Sequence, residues 1–177
     1  MRSSAASDVY KRQEFAENFG SEEGVYDALD TPIPARPPSL CAGCPHRGSF
    51  YAVKTALERG QEAIFCGDIG CYTLGNAAPL KAVDTCLCMG AGITIAQGFS
   101  VVEPNKKAIA FVGDSTFFAS GMTGVANAVY NNHDITIVVL DNATTAMTGS
   151  QPHPGTGATL MGPRNVPISS ELSLIHI

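Results

Sequence analysis

No cluster of lysine and arginine interrupts the 177 residues, and the formal net charge is −5. Nucleic acids and anionic membrane surfaces are held by concentrated positive charge, so neither is expected as a partner. No apolar run approaches the roughly 20 residues that a spanning helix requires. An N-terminal apolar stretch of signal-peptide length is missing too, which points to a cytoplasmic protein. Six cysteines are too few for a disulfide scaffold in a chain of this size. In a reducing compartment they point instead to metal binding or redox work. There is no internal repeat, no low-complexity run and no Walker A sequence. The one dinucleotide-like stretch, Gly90-Ala91-Gly92, has Ile95 where the third glycine belongs. A phosphate site has to be built elsewhere.

What is present is enough for one folded domain, since hydrophobic residues make up 45% of the chain. Residues 1–13 and 172–177 join no periodic pattern and read as translated adapter or vector sequence, so a fragment of a longer chain is expected. Residues 14–40 read as a linker, because four prolines between Thr31 and Ser39 exclude helix and disfavour strand. Residues 41–165 form the expected domain, and 166–177 a truncated or non-native tail. Within the domain, Ser49 is placed as the cap of a helix over 50–59 that Gly60 stops. A buried strand is expected over 63–66 and a helix over about 90–102 with Ile93, Ala96 and Phe99 near one face. A strand over 107–112, a small-residue helix over 117–131 and a strand over 135–140 follow. Strands alternating with helices predict an α/β fold with a mostly parallel sheet flanked by helices.

The chain is organised around the stretch from Gly113 to Asn142. One apolar strand ends in Gly113-Asp114-Ser115 and the next in Asp141-Asn142. In a parallel sheet the two tips share one edge, where ligands of open α/β sheets collect. Asp114 brings a carboxylate and Asn142 an amide oxygen, hard donors of the kind Mg2+ takes alongside phosphate oxygens. Gly113 permits a sharp turn whose following amides can face an anion. Thr144, Thr145, Thr148 and Gly149 add a second set of backbone and hydroxyl donors, and two such sets around one Mg2+ suit a diphosphate. The segment from 142 to 157 is polar and aperiodic, and long loops of that kind are usually functional.

These residues form a known pattern. Gly113-Asp114-Ser115 through Asp141-Asn142 resembles the motif of thiamin diphosphate enzymes that begins Gly-Asp-Gly and ends Asn-Asn. Ser115 and Asp141 depart from it, and the two metal-ligating positions are kept. Together with CAGCPHRGSF, DTCLCMGAG and LDNATTAMTGSQPHPGTG, the text from about Pro38 to Gly162 closely resembles the alpha-subunit family of indolepyruvate ferredoxin oxidoreductases, within the wider 2-oxoacid:ferredoxin oxidoreductases. The resemblance implies a thiamin diphosphate-binding domain. Asp114, Asn142 and the backbone carbonyl of Thr144 would hold Mg2+, and Gly113, Ser115, Met147, Thr148 and Gly149 would join them around the cofactor. It implies oxidative decarboxylation of an aryl pyruvate to its acyl-coenzyme A, with electrons passed to ferredoxin. The activating glutamate is expected on a pyrimidine-binding domain outside these residues. Partners implied are the missing domains of the same chain, a beta subunit, ferredoxin and a second copy in an oligomer.

Cys41 and Cys44 form a CxxC, and Cys71 follows in Gly70-Cys71. Three soft thiolates fit an iron–sulfur cluster or zinc, with His46 available as a fourth zinc ligand; a thioredoxin-like pair is a further possibility. The resemblance implies a 4Fe–4S cluster at Cys41, Cys44 and Cys71, although no cysteine lies beyond Cys88. Cys66 reads as core, and Cys86 and Cys88 as pocket lining. His153 is a candidate for the substrate entrance. Two rival readings remain open, a non-redox thiamin diphosphate-dependent decarboxylase or synthase, and a noncatalytic zinc-binding module.

Overall fold

Three short apolar runs pair into one parallel sheet among the described residues. β1 (Ala63–Cys66), β2 (Lys107–Gly113) and β3 (Ile135–Leu140) stand in that order, with β2 central. A computed structural model describes residues 35, 37–57, 59–162 and 164–171. The expected tails at 1–13 and 172–177, and most of the linker, lie outside the described residues. The chain divides into a unit over Met1–Pro37 and a second over Pro38–Ile177; the fold described here is that of the second.

Side chains of a strand alternate between faces, and β2 shows why the sheet needs cover on both sides. Ile109 and Phe111 enter one cluster with Phe50, Phe65, Tyr72 and Leu140. Ala108, Ala110 and Val112 enter another with Cys66, Ile93, Ala96, Phe117 and Val125. A strand buried on both faces reads as continuous apolar sequence, which is the habit of parallel sheets between helical layers. The first cluster is covered by α1 (Pro45–Ala56), and the second by α2 (Ala91–Val102) and α3 (Met122–Tyr130).

Two helix boundaries differ from the sequence expectation. α1 begins at Pro45, not Phe50, and ends at Ala56. Proline at the first helical position loses no hydrogen bond and arrives with a helical φ, so Pro45 starts the helix before Ser49 can cap it. Ser49 sits inside, its hydroxyl 3.5 Å from the Pro45 carbonyl oxygen. The helix expected over 117–131 starts at the tip of β2: a single turn over Asp114–Thr116 runs into a π-helical turn over Phe117–Gly121 and then into α3. Such π turns inside helices are frequent at functional sites. The strands stand where expected, with β2 extended by Gly113.

The two glycines of the failed dinucleotide fingerprint have packing roles. Gly90 takes φ +89, and its N–H reaches the Asp68 carboxylate at 2.8 Å. A Cβ at Gly92 would stand 2.8 Å from the carbonyl oxygen of Gly67. That neighbour is backbone and cannot rotate away, so glycine lets α2 lie directly on the tip of β1. Among the described residues no helix is long and apolar enough to cross a membrane.

Candidate functional site

The register of β2 and β3 brings the two strand tips together. Gly113 is the partner of Leu140, so Asp114 and Asp141 leave neighbouring strands at the same level. The chain then closes the gap itself: the Asn142 N–H donates to Asp114 Oδ2 at 3.2 Å. Asp114 Oδ1 accepts the Ser115 N–H at 2.8 Å. The carboxylate is 3% exposed, held by backbone donors from both tips and with lone pairs to spare.

The two positions that depart from the motif each make a local hydrogen bond. Asp141 Oδ1 accepts the Ala143 N–H at 2.9 Å, an Asx turn that asparagine would make equally well. Ser115 Oγ accepts the Thr145 hydroxyl at 2.7 Å, so the extra hydroxyl ties the loop to the start of the helix. Asn142 Oδ1 accepts the Thr144 N–H at 3.2 Å.

A cleft opens over these tips. Gly113, Asp114, Ser115, Asn142, Thr144, Met147 and Thr148 all line it, so most of the residues expected around a cofactor are brought to one place. Gly149 is the exception. It takes φ +114 and turns the chain, so that Thr145 and Gln151 can pair across the loop at 2.9 Å. His46, Tyr72, Met89 and Thr116 also line the cleft, and the sequence did not single out the last three.

Tyr72 supplies the floor. A Cβ on Gly113 would lie 2.7 Å from its ring, and one on Gly70 2.4 Å, so both backbones pass close against the ring. Its hydroxyl stands 3.3 Å from Asp68 Oδ2 and 3.3 Å from Thr116 Oγ1. Burial pushes the Tyr72 phenol up to about 12, so it remains a neutral hydroxyl at physiological pH. Asp68 is fully buried and accepts the N–H groups of Ile69 at 2.7 Å and Gly90 at 2.8 Å. It therefore joins the loop after β1 to the start of α2 and to the tyrosine.

Burial raises the Asp68 carboxyl above its ordinary 3.8, against the hydrogen bonds from Ile69, Gly90 and Tyr72. The folded protein then keeps this proton to higher pH than the unfolded chain. Stability is lost as pH rises from near 3.8 through the raised value. Asp68→Asn, which cannot ionise, should flatten that part of the stability–pH curve. Urea denaturation of both proteins across the acid range tests this; parallel curves would contradict it.

The histidines and cysteines fall into distinct places. His46 is buried, edge-on to Tyr72 at 6.2 Å, and burial lowers its pKa against the opposing pull of Asp114. It lines both this cleft and a second of about 700 Å3, which Cys41, Cys44 and Cys71 also line. Among the described residues, no three histidine, cysteine or acidic side chains converge on a position for one metal ion. Cys66 is core, and burial pushes its thiol up. Cys86 and Cys88 are exposed and line neither cleft, contrary to expectation. His153, expected at an entrance, is buried with Nε2 3.0 Å from Asp114 Oδ2. Its place was not legible because the contact spans a loop without periodicity.

The chain resembles known proteins in sequence and in fold. Residues 68–174 match the family described as thiamine pyrophosphate enzyme, C-terminal TPP binding domain. Indolepyruvate oxidoreductase subunit IorA of Thermococcus kodakarensis is 47% identical over 158 residues, covering 82% of this chain and 24% of that protein. The subunit of the same name from Archaeoglobus fulgidus is 52% identical over 129 residues, 73% of this chain and 20% of that protein. The chain thus spans about a quarter of the length of these relatives. More distantly, 2-oxoglutarate synthase subunit KorB of Archaeoglobus fulgidus is 33% identical over 125 residues, 68% of this chain and 46% of that protein. In fold, the chain resembles a solved 2-oxoglutarate:ferredoxin oxidoreductase from Magnetococcus marinus, with a TM-score of 0.61 at 22% identity, covering 81% of this chain and 52% of that one.

Proposed function

Because the chain belongs to the thiamine pyrophosphate enzymes, through their C-terminal TPP binding domain, we propose that it binds thiamin diphosphate and Mg2+ as part of an indolepyruvate, or aryl pyruvate, ferredoxin oxidoreductase. The observation that carries this reading is the Asn142 N–H donated to the buried Asp114 carboxylate at 3.2 Å, which fastens two strand tips side by side under one cleft. The donor set fits the group: a carboxylate, an amide oxygen and a main-chain carbonyl are the hard oxygens Mg2+ prefers. Asp114, Asn142 and the Thr144 carbonyl would hold the metal. Gly113, Ser115, Met147 and Thr148, with the turn at Gly149, would join them around the cofactor.

Bound here, the cofactor supplies the nucleophilic centre for decarboxylating a 2-oxo acid, while the protein binds and orients it. The buried carboxylate opposes the metal's charge, and the metal opposes that of the diphosphate in an acidic protein. Residues 41–165 form the diphosphate-binding domain, with 14–40 as a linker. The substrate class follows that of the relatives named indolepyruvate oxidoreductase, and coenzyme A would receive the acyl group. Iron–sulfur centres would supply the route by which electrons reach ferredoxin. Cys41, Cys44 and Cys71 line one cleft beside the cofactor site, which favours a redox enzyme over a decarboxylase with no use for thiolates. A 4Fe–4S cluster there needs a fourth ligand, and Cys66, Cys86 and Cys88 are not placed to provide it. The activating glutamate, a beta subunit and a second copy complete the enzyme.

Calorimetric titration of the full-length protein tests the reading. Thiamin diphosphate should bind with Mg2+ present and lose measurable affinity after chelation. Binding indifferent to the metal would overturn it. Anaerobic reconstitution with iron and sulfide, read as visible absorption lost on replacing Cys41, Cys44 and Cys71, tests the redox half separately.

A further inference from the structure

The buried face of Asp114 meets a histidine that the proposed cofactor site does not use. His153 is 7% exposed, and its ring stacks on Phe118 with centroids 5.9 Å apart and planes 24° from parallel. Room for the stack depends on Gly155, where a Cβ would stand 2.9 Å from both rings. His153 Nδ1 accepts the Gly155 N–H at 3.2 Å. An accepting Nδ1 puts the proton of the neutral ring on Nε2. That nitrogen lies 3.0 Å from Asp114 Oδ2, with both side chains about 5% exposed or less. Nε2 forms no hydrogen bond in this arrangement and meets Oδ2 by close approach alone. A buried ring nitrogen without one requires an account.

We infer that His153 is a positioning residue for Asp114. It faces the carboxylate from the far loop and limits the turning of the group that would hold the metal. This rests on the Mg2+ reading of the site. Three segments then set the carboxylate plane: Ser115 N–H on Oδ1, Asn142 N–H on Oδ2, and the His153 ring against Oδ2. Terminal carboxylate torsions are broad and cost little to turn, so a ligand of this kind gains metal affinity when its surroundings choose one orientation. Outer partners of metal-binding groups act in this way. The contact also joins the 142–157 loop to the metal site, because His153 heads the short 3-10 turn Pro154–Thr156.

The rival role is structural: a ring that caps that turn through Nδ1 and touches Asp114 by proximity. Two substitutions separate the roles. His153→Asn places an oxygen near the Nδ1 position, so it keeps the cap and removes the group facing Asp114. His153→Gln reaches the Nε2 position with an N–H donor and removes the cap. The readout is the Mg2+ concentration giving half-maximal thiamin diphosphate binding to the full-length protein, by calorimetry, with melting of the cofactor-free protein alongside. His153→Asn should raise that concentration about 10-fold or more. His153→Gln should stay close to the unsubstituted protein despite a lower melting temperature. An unchanged Mg2+ requirement in His153→Asn, or equal losses in both variants, overturns the inference while leaving the cofactor site standing. Metal-independent binding by the unsubstituted protein overturns the site reading itself.

Discussion

Asp114→Ala is expected to abolish Mg2+-dependent thiamin diphosphate binding, lowering affinity by at least about 100-fold, because it deletes the one carboxylate among the proposed metal ligands. The substitution also strips the acceptor from the N–H groups of Ser115 and Asn142. Some of the loss would then come from a loosened strand tip. Asp114→Asn separates the two effects. It keeps the volume and an oxygen for the Ser115 N–H, but carries no charge and turns an NH2 toward the Asn142 N–H. Affinity should fall nearly as far with Asn as with Ala, while the melting temperature falls less. Titration of both variants at saturating Mg2+ decides the matter, and an affinity unchanged in Asp114→Asn would show that charge at this tip does not hold the metal.

Phe111→Ala should have the largest effect on stability. Phe111 is fully buried on the central strand, edge-on to Phe50 at 4.7 Å and tilted against Phe65 at 6.1 Å. Truncating a buried phenylalanine costs about 3–5 kcal/mol, the lost transfer energy and the cavity together. Domains are typically stable by about 5–15 kcal/mol, so the variant would be marginal. Its denaturation midpoint should move sharply with an unchanged slope. A shift worth less than about 1 kcal/mol would mean that this cluster is not the core under β2. Phe111 and Asp114 lie on the same strand and its outgoing turn, so the measurement belongs on cofactor-free protein, where binding does not mask the loss.

The parts of the site set by strand chemistry were legible in the sequence. Residues 108–113 form a continuous apolar run and Ile135–Leu140 is broken only by Thr136, both ended by polar residues, and parallel pairing brings such ends together without further information. Local rules failed where two of them competed. Pro45 and Ser49 both signal a helix start, and the chain takes the earlier one because proline already has the helical φ. The glycines at 90 and 92 resembled a phosphate loop, yet their reasons are a positive φ and a backbone contact to Gly67, which involve residues far away in sequence. The same holds for Asp68, Tyr72 and His153. Their partners are Gly90, Thr116 and Asp114, joined by loops that carry no period from which a contact can be read.

β1 pairs with β2 only as far as Cys66 opposite Ala110, while β2 continues to Gly113. The sheet is therefore a step short beside the tip that carries Asp114, and the Tyr72 ring packs against Gly113 there. The bottom of the cleft above it therefore depends on the ring of one residue rather than on a further strand. A substitution at position 72 would reshape the bottom of the cleft and leave the hydrogen bonds between β1, β2 and β3 in place.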